Sequence, residues 1–482
     1  MGIKVAIVGG GAAAAFTMTE LLEHGVGMPA ELQWYSGYRG GSRGIAYGTP
    51  VSEHLLNVRA TAMGANSPDP TEFLDFARRH LPEARASDFL PRQLYGDFLE
   101  ARVSRALEGA AFRGIRVSRL RTEADQVEAL PDGGFRLTDA SGFTSQVDLL
   151  IGAVGALPAR ALPGTPSSLI DGGRYVLDPW QWLSANELPF DKLRKVLIVG
   201  AGLSAVDLAL TITERWPQAR VTLLSRRGRL PAAHAPDTSA PGHDAAALVT
   251  ELLQRPSLAR WSRIVREVCE ESDDWRSVID GLRHTTPVLW QALSLPQRGS
   301  FLRHVRGIWE RARHRMPPQV ARRMVELLGD RRLQIRAGQI AEWPASRPGR
   351  VRVGLRARGQ SDLQYENFDL VLQASGMETD ARETHHSFVS SLLRQGLTRP
   401  DPLGLGLLTD TDGRTVAADG DTHRALWLIG ALRRGSQWET TAIPEIRQQA
   451  RRIAVQVLQH CAAQVSQVRT VDTIQRQEAE SW

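Results

Sequence analysis

One local pattern occurs twice in this chain and limits its fold more than any other feature: an apolar strand, a glycine-rich loop and a helix in immediate succession. The first copy runs from Ile3–Val8 through Gly9-Gly10-Gly11-Ala12-Ala13-Ala14 into an Ala/Leu-rich stretch ending at Glu23. The second runs from Val196–Val199 through Gly200-Ala201-Gly202-Leu203-Ser204-Ala205 into Val206–Ile212. A further strand follows each, at Leu32–Tyr35 and at Val221–Leu224. A backbone that turns this tightly after a strand and then opens a helix presents helix N–H groups to a pyrophosphate. Gly9 makes the turn, Gly11 keeps the floor beneath the phosphates free of a side chain, and Ala14 lets helix approach strand. Gly200, Gly202 and Ser204 are the corresponding candidates in the second loop. Two such units in one chain predict an α/β protein with two Rossmann-like, dinucleotide-binding domains.

The ends of the second strands say which dinucleotides. An acid normally stands there to hold the ribose hydroxyls. The first unit has Ser36 instead, a candidate ribose contact without the charge. The second has Ser225-Arg226-Arg227, and two guanidiniums at this place suit a 2′-phosphate, favouring NADPH with NADH still possible; the alternative is a solvated turn. Two other segments share one pattern of acid, apolar strand, small residue and glycine: Asp148-Leu149-Leu150-Ile151-Gly152-Ala153-Val154-Gly155 and Asp369-Leu370-Val371-Leu372-Gln373-Ala374-Ser375-Gly376. They resemble the crossovers of flavoproteins in which a nicotinamide domain is inserted into an FAD domain, and Gly155 and Gly376 are candidate cofactor contacts. In that class the C-terminal strand and helix return to the flavin, the places of Gly430 and of Ile443-Pro444.

The predicted layout is an FAD domain from 1–165 and 366–466, an NAD(P)H domain from 190–365, a Trp- and Arg-rich helical insert at about 242–328, and a polar tail at 467–482. A length of 482 residues suits two domains. The chain has 42% hydrophobic and 23% charged residues, an ordinary globular balance, and its net charge of +6 is spread among interleaved acids, so basic clefts for anionic cofactors are expected rather than nucleic acid. The N-terminus has no signal-peptide pattern, and the longest apolar stretch is broken by Asp207, so a cytoplasmic protein without a membrane span is expected. The two cysteines, Cys269 and Cys461, lie far apart in the sequence. Disulfide reductases of similar layout need two a few residues apart, so dithiol chemistry is excluded. No cluster has metal-site spacing and no G-x-S-x-G elbow is present. The F-x-G-x-x-x-H pattern of Baeyer–Villiger and flavin-containing monooxygenases is absent too.

The sequence resembles a family of FAD/NAD(P)-binding proteins that includes a bacterial flavin-dependent urate hydroxylase and an aspartate N-monooxygenase. The resemblance rests on Gly44-Ile45-Ala46-Tyr47-Gly48-Thr49, His54-Leu55-Leu56-Asn57-Val58, Pro91-Arg92 with Tyr95-Gly96, and Ser225-Arg226-Arg227-Gly228 with His234. It continues through Trp275-Arg276, Asp280, Arg298, Phe301, His304, Trp309, His314-Arg315, Gly435 and Trp438-Glu439-Thr440-Thr441-Ala442. Ser36 and Gln373-Ala374-Ser375 depart from the family pattern. What the resemblance implies is a monooxygenase in which NADPH reduces FAD, oxygen adds as a flavin C4a-hydroperoxide, and a small polar or anionic substrate receives one oxygen atom. Urate is the leading substrate expected, the arginines suiting an anionic purine. The alternatives are N-hydroxylation of an amino acid such as aspartate, and a flavin reductase or redox sensor without oxygenated product.

Flavin chemistry belongs to the cofactor, so no acid–base triad need be visible. Tyr47 and Asn57 follow the first FAD strand, in a segment that runs beside the isoalloxazine in such folds. Asn57 is a candidate for a flavin edge or a substrate carbonyl, or simply stabilises its loop. Arg92 is placed before a helix at Leu94–Leu107 to hold an anionic substrate or the FAD pyrophosphate, or to make a surface ion pair. Trp438, Thr440 and Thr441 precede the last helix, with Thr441 either its N-cap or a flavin contact. In the insert, the spacing of His304, Arg311 and Arg315 predicts one basic helical face.

Overall fold

The computed structural model describes residues 2–23, 29–38, 41–65, 69–185, 191–236 and 244–480, with side chains as far as residue 463. The two glycine-loop units stand at the centres of two separate parallel sheets. In the first, the order is Arg414–Val416, Thr422–Leu428, Leu149–Gly152, Lys4–Val8, Glu31–Tyr35, Arg116–Leu120. All pairings are parallel except that of Arg414–Val416 at the edge. The chain leaves Lys4–Val8 for a neighbour on one side and later returns to the other, so the sheet order reverses at Gly9, where such folds bind their ligands.

Both faces of this sheet are covered, as parallel pairing requires. Val5 and Ile7 face helices Ala12–Glu23, Arg92–Phe112 and the start of Ile443–Glu480. Ala6 and Val8 face a small antiparallel sheet, Ala124–Ala129, Phe135–Asp139 and Thr144–Val147, together with helix Ser387–Arg394.

The second sheet has the order Leu363–Phe368, Val351–Ala357, Leu333–Glu342, Arg220–Ser225, Lys195–Val199, Leu370–Gln373, Tyr175–Val176. Its five strands from Leu333–Glu342 to Tyr175–Val176 are parallel. The two outer strands add an antiparallel hairpin. This sheet extends beyond the 190–365 limits expected for the NAD(P)H domain, taking Tyr175–Val176 before them and Leu370–Gln373 after them. The fourth strand of each Rossmann unit doubles as the crossover, so a boundary drawn in front of it falls one strand early.

The insert is helical, from Ala245–Gln254 through Pro318–Gly329, and the expected start at 242 lies outside the described residues. The last helix runs on to Glu480, where a separate polar tail was expected at 467–482. No proline or glycine follows Pro444, and the Gln/Arg/Glu/Ala composition favours helix despite its polarity.

Candidate dinucleotide site

The two glycine loops are built alike. Gly9 has φ +141°, and a Cβ there would fall 2.1 Å from the carbonyl oxygen of Ala153. Gly200 has φ +135°, and its Cβ would fall 2.0 Å from the carbonyl oxygen of Ala374. Each turn is therefore pressed against its own crossover strand, and only glycine fits. The acid heading each crossover tethers the start of the first strand: Asp148 Oδ2 accepts from Lys4 N–H at 2.7 Å, and Asp369 Oδ2 from Arg194 and Lys195 N–H at 2.7 and 2.8 Å. Gly155 and Gly376 then take left-handed turns with open space beside them.

Gly11 and Gly202 behave differently. A Cβ on Gly11 would meet only Gly44 Cα, at 3.7 Å, and one on Gly202 would meet nothing within 4 Å. Protein packing does not require glycine at either place, whereas a pyrophosphate lying on the loop does. Helices Ala12–Glu23 and Leu203–Arg215 begin at these points, so their free N–H groups and dipoles face the same space. Ala14 and Ala205 are fully buried where helix meets sheet. The residues present thus fit two bound dinucleotides.

Around the first loop, Ser36 is buried and its hydroxyl donates to the Leu120 carbonyl at 3.2 Å, so that hydrogen is spent on the neighbouring strand. The short helix Gly44–Tyr47 folds back over the loop through a bond from Gly44 N–H to the Gly10 carbonyl, 2.9 Å, and Tyr47 packs on Tyr95 with ring centroids 4.7 Å apart. The Asn57 carbonyl takes a bond from His234 Nε2 at 3.1 Å, while its side-chain amide has no protein partner among the described residues. Gly430 has φ +83°, and its N–H donates to Gln449 Oε1 at 3.0 Å. Around the second loop, Ser225 Oγ accepts from Gly228 N–H at 3.1 Å and Arg227 donates to the His304 carbonyl at 3.2 Å. Arg226 is exposed and unpaired among the described residues, and Ser204 is half-buried at the helix start.

Several expected site residues have other work. Arg92 is the first residue of its helix rather than part of a break before it, and it ion-pairs with the buried Asp207 at 2.7 Å. Burial pushes the Asp207 carboxyl up to about 6, against the pull of the Arg92 charge. Thr441 is exposed and does not cap the last helix, which begins at Ile443 and so places Ala442 at the cap; Thr440 is buried. Trp438 is buried against Trp290 and Phe301, both with centroids 5.1 Å away, and Arg434 lies 4.3 Å over its ring. The basic face of His304, Arg311 and Arg315 does not form. A π-helical stretch, Phe301–Val305, shifts the register, and the following helix ends at Arg313. Arg315 is buried and paired with Asp280.

Sequence reasoning did not foresee that the insert meets the C-terminal segment. Trp290 Nε1 donates to the Gly435 carbonyl at 2.8 Å and Trp309 Nε1 to Glu439 at 3.0 Å. Arg313 pairs with Glu439 at 3.3 Å, Arg434 with Glu310 at 2.8 Å, and Arg283 with Glu445 at 2.6 Å. The available signal was a density of Trp and Arg in both segments. Gln373, a departure from the family pattern, ties the crossing segments together: it accepts from the Tyr175 hydroxyl and donates to the Arg160 carbonyl at 2.9 Å.

Residues 6–157 match a family described as FAD-NAD(P)-binding. No curated protein matches the sequence significantly. Solved structures do match over nearly the full length. The ornithine N-hydroxylase of Kutzneria sp. 744 is 15% identical, with a TM-score of 0.64 over 95% of this chain and 99% of the other. The L-lysine 6-monooxygenase of Pseudomonas syringae is 15% identical, with a TM-score of 0.62 over 96% and 100%. Thioredoxin reductase from Lactococcus lactis also shares the fold, at 13% identity and a TM-score of 0.52 over 96% and 99%. At such identities the likeness concerns the fold: two nucleotide-binding domains, one inserted in the other. No helix among the described residues is long and apolar enough to cross a membrane, and no group of His, Cys, Asp and Glu among them could hold a metal.

Proposed function

We propose that this chain is an FAD-dependent, NADPH-using monooxygenase that hydroxylates a nitrogen of a small amine or amino acid. The observation that carries the reading is the pair of open cradles at Gly11 and Gly202 in a chain that matches flavin N-hydroxylases from end to end. The dithiol chemistry of the reductases that share this fold has no counterpart here. Cys269 lies in helix Leu258–Glu271 of the insert, Cys461 lies in the last helix, and both are free.

Urate, the substrate expected from the sequence, loses its main support. The arginines that were to hold an anionic purine are occupied: Arg92 by Asp207, Arg315 by Asp280, and Arg311 by the Leu230 carbonyl at 3.1 Å.

In this reading the starts of helices Ala12–Glu23 and Leu203–Arg215 hold the two pyrophosphates, and Arg226 with Arg227 meets the 2′-phosphate. FAD, when bound and reduced by the nicotinamide, supplies the oxygen-activating chemistry. The insert, bonded to the 434–442 loop and to Glu445 in the first turn of the last helix, is the segment suited to keep water from the flavin. The free amide of Asn57 is the candidate for orienting the substrate. The test is NADPH oxidation screened over amino acids, diamines and urate with product mass measurement. An N-hydroxylated product is the expected result. Hydrogen peroxide alone, with no amine altering the rate, would point to an oxidase or sensor and end the proposal.

A further inference from the structure

Helix Leu203–Arg215 opens on the second glycine loop, so whatever fixes this helix fixes the nicotinamide domain's binding surface. Side chains of the flavin domain hold it at two successive turns. Asp207, buried on the helix, is ion-paired with Arg92 Nη2 at 2.7 Å, and Arg92 is itself anchored by Nε to the Leu55 carbonyl at 2.9 Å. One turn on, the Thr211 hydroxyl donates to the Asp207 carbonyl at 3.0 Å. Its oxygen is then left to accept from His54 Nε2–H at 2.8 Å. In the neutral ring the second nitrogen of His54 is an acceptor, and the Thr49 hydroxyl donates to it at 2.7 Å. Every member of the chain is then bonded. Burial first, and the Arg92 charge second, push the His54 pKa down to about 4, in keeping with that state. Trp180 closes the cluster edge-on to His54, with centroids 5.5 Å apart.

We infer that Arg92 and His54 are positioning residues, clamping the nicotinamide domain to the flavin domain so that the two bound dinucleotides meet in register for hydride transfer. The inference rests on the FAD and NADPH reading given above, and it assigns Arg92 a different task from holding substrate. With both cofactors bound, NADPH would supply a hydride, carrying both electrons, and oxidised FAD would accept it; the clamp itself exchanges neither proton nor electron. Orientation governs such a step steeply, a misplacement of about 1 Å being enough to slow a reaction by about 10²-fold.

Asp207→Asn and Thr211→Val are nearly isosteric and lie outside the flavin domain, so both proteins should fold and keep their flavin. Three measurements then apply to the purified full chain. Anaerobic flavin reduction at saturating NADPH should slow by about 10-fold or more. The reaction of dithionite-reduced flavin with oxygen should not change. Hydrogen exchange, without any nucleotide, should rise in the 49–57 and 203–215 segments. Arg92→Lys, which keeps the charge, should recover part of the reduction rate lost in Arg92→Ala. Wild-type exchange rates in both helix variants would overturn the clamp, and an equal loss of the reductive and oxygen reactions would overturn the positioning role. If NADPH fails to reduce even the wild-type flavin, the cofactor reading is wrong, and the exchange measurement alone decides the clamp.

Discussion

Replacing Gly11 by alanine adds one methyl group to the floor of the first cradle, and the structure states what that methyl meets. Its nearest protein neighbour is Gly44 Cα at 3.7 Å, an ordinary contact, and φ at Gly11 is not left-handed. The cost to the folded protein is that of alanine in place of glycine at a helix N-cap, about 0.5–1 kcal/mol. For domains of this size that lowers the melting temperature by a few degrees at most. Gly9→Ala is the control with the opposite expectation. Its Cβ would stand 2.1 Å from the Ala153 carbonyl oxygen at φ +141°. Backbone strain of about 1–3 kcal/mol and overpacking of a similar size add to about 2–6 kcal/mol, a large share of a typical stability of about 5–15 kcal/mol. The assay is a thermal melt together with the visible flavin absorbance of the purified protein. Gly11→Ala should be folded and pale, and Gly9→Ala should be poorly folded. A Gly11→Ala protein that melts normally and is fully yellow would refute the placement of the pyrophosphate. A Gly9→Ala protein of wild-type stability would refute the packing argument.

Other outcomes follow from the same geometry. Gly202→Ala should fold normally and weaken NADPH binding without loss of flavin, read by thermal melts and by titration. Arg226→Ala should raise the KM for NADPH about 10-fold or more while leaving that for NADH nearly unchanged, since a charge-assisted contact contributes about 1.5–3 kcal/mol; equal effects on both would exclude a 2′-phosphate role. His54 ionises near 4 in the folded chain and near 6.5 when unfolded. The unfolded chain therefore binds the extra proton between those values. The stability that the neutral ring contributes is complete above 6.5 and is lost as pH falls through 4, roughly 3 kcal/mol in all. Asp207, raised to about 6, contributes with the opposite sign over the same range, so the fall is read as the difference between melts of the wild type and of His54→Gln. Cys269→Ser with Cys461→Ala should leave NADPH-driven flavin reduction intact, and a loss of reduction would reopen dithiol chemistry.

What the sequence made legible was local. The turns at Gly9 and Gly200, the acids at Asp148 and Asp369 and the glycines ending the crossovers are short-range devices, each forced by a strand and the loop beside it. Even the boundary error at the fourth strand left the topology intact. Charged residues fared worse, because an arginine's role depends on what the tertiary fold brings to it. Arg92 stood where an anion site was plausible, yet its counter-ion comes from Asp207 in the other domain. Arg315 seemed to continue a basic face, but the π-helical stretch and the helix end at Arg313 turn it inward. Ser36 and Thr441 were judged by position alone, and their surroundings assign one to the Leu120 carbonyl and leave the other in solvent. Trp438 was expected to meet a cofactor; the rings against it are Trp290 and Phe301 of the insert, which no local pattern connects to residue 438.

The chain enters and leaves the nicotinamide domain by segments lying side by side, joined by the Leu157–Glu378 bridge and by the Arg160–Glu378 pair at 2.7 Å. A body hung on two adjacent pins can swing about them but can scarcely slide. Any swing of this domain has to break the contacts of His54 and Arg92 with the Leu203–Arg215 helix and those of the insert with the C-terminal segment.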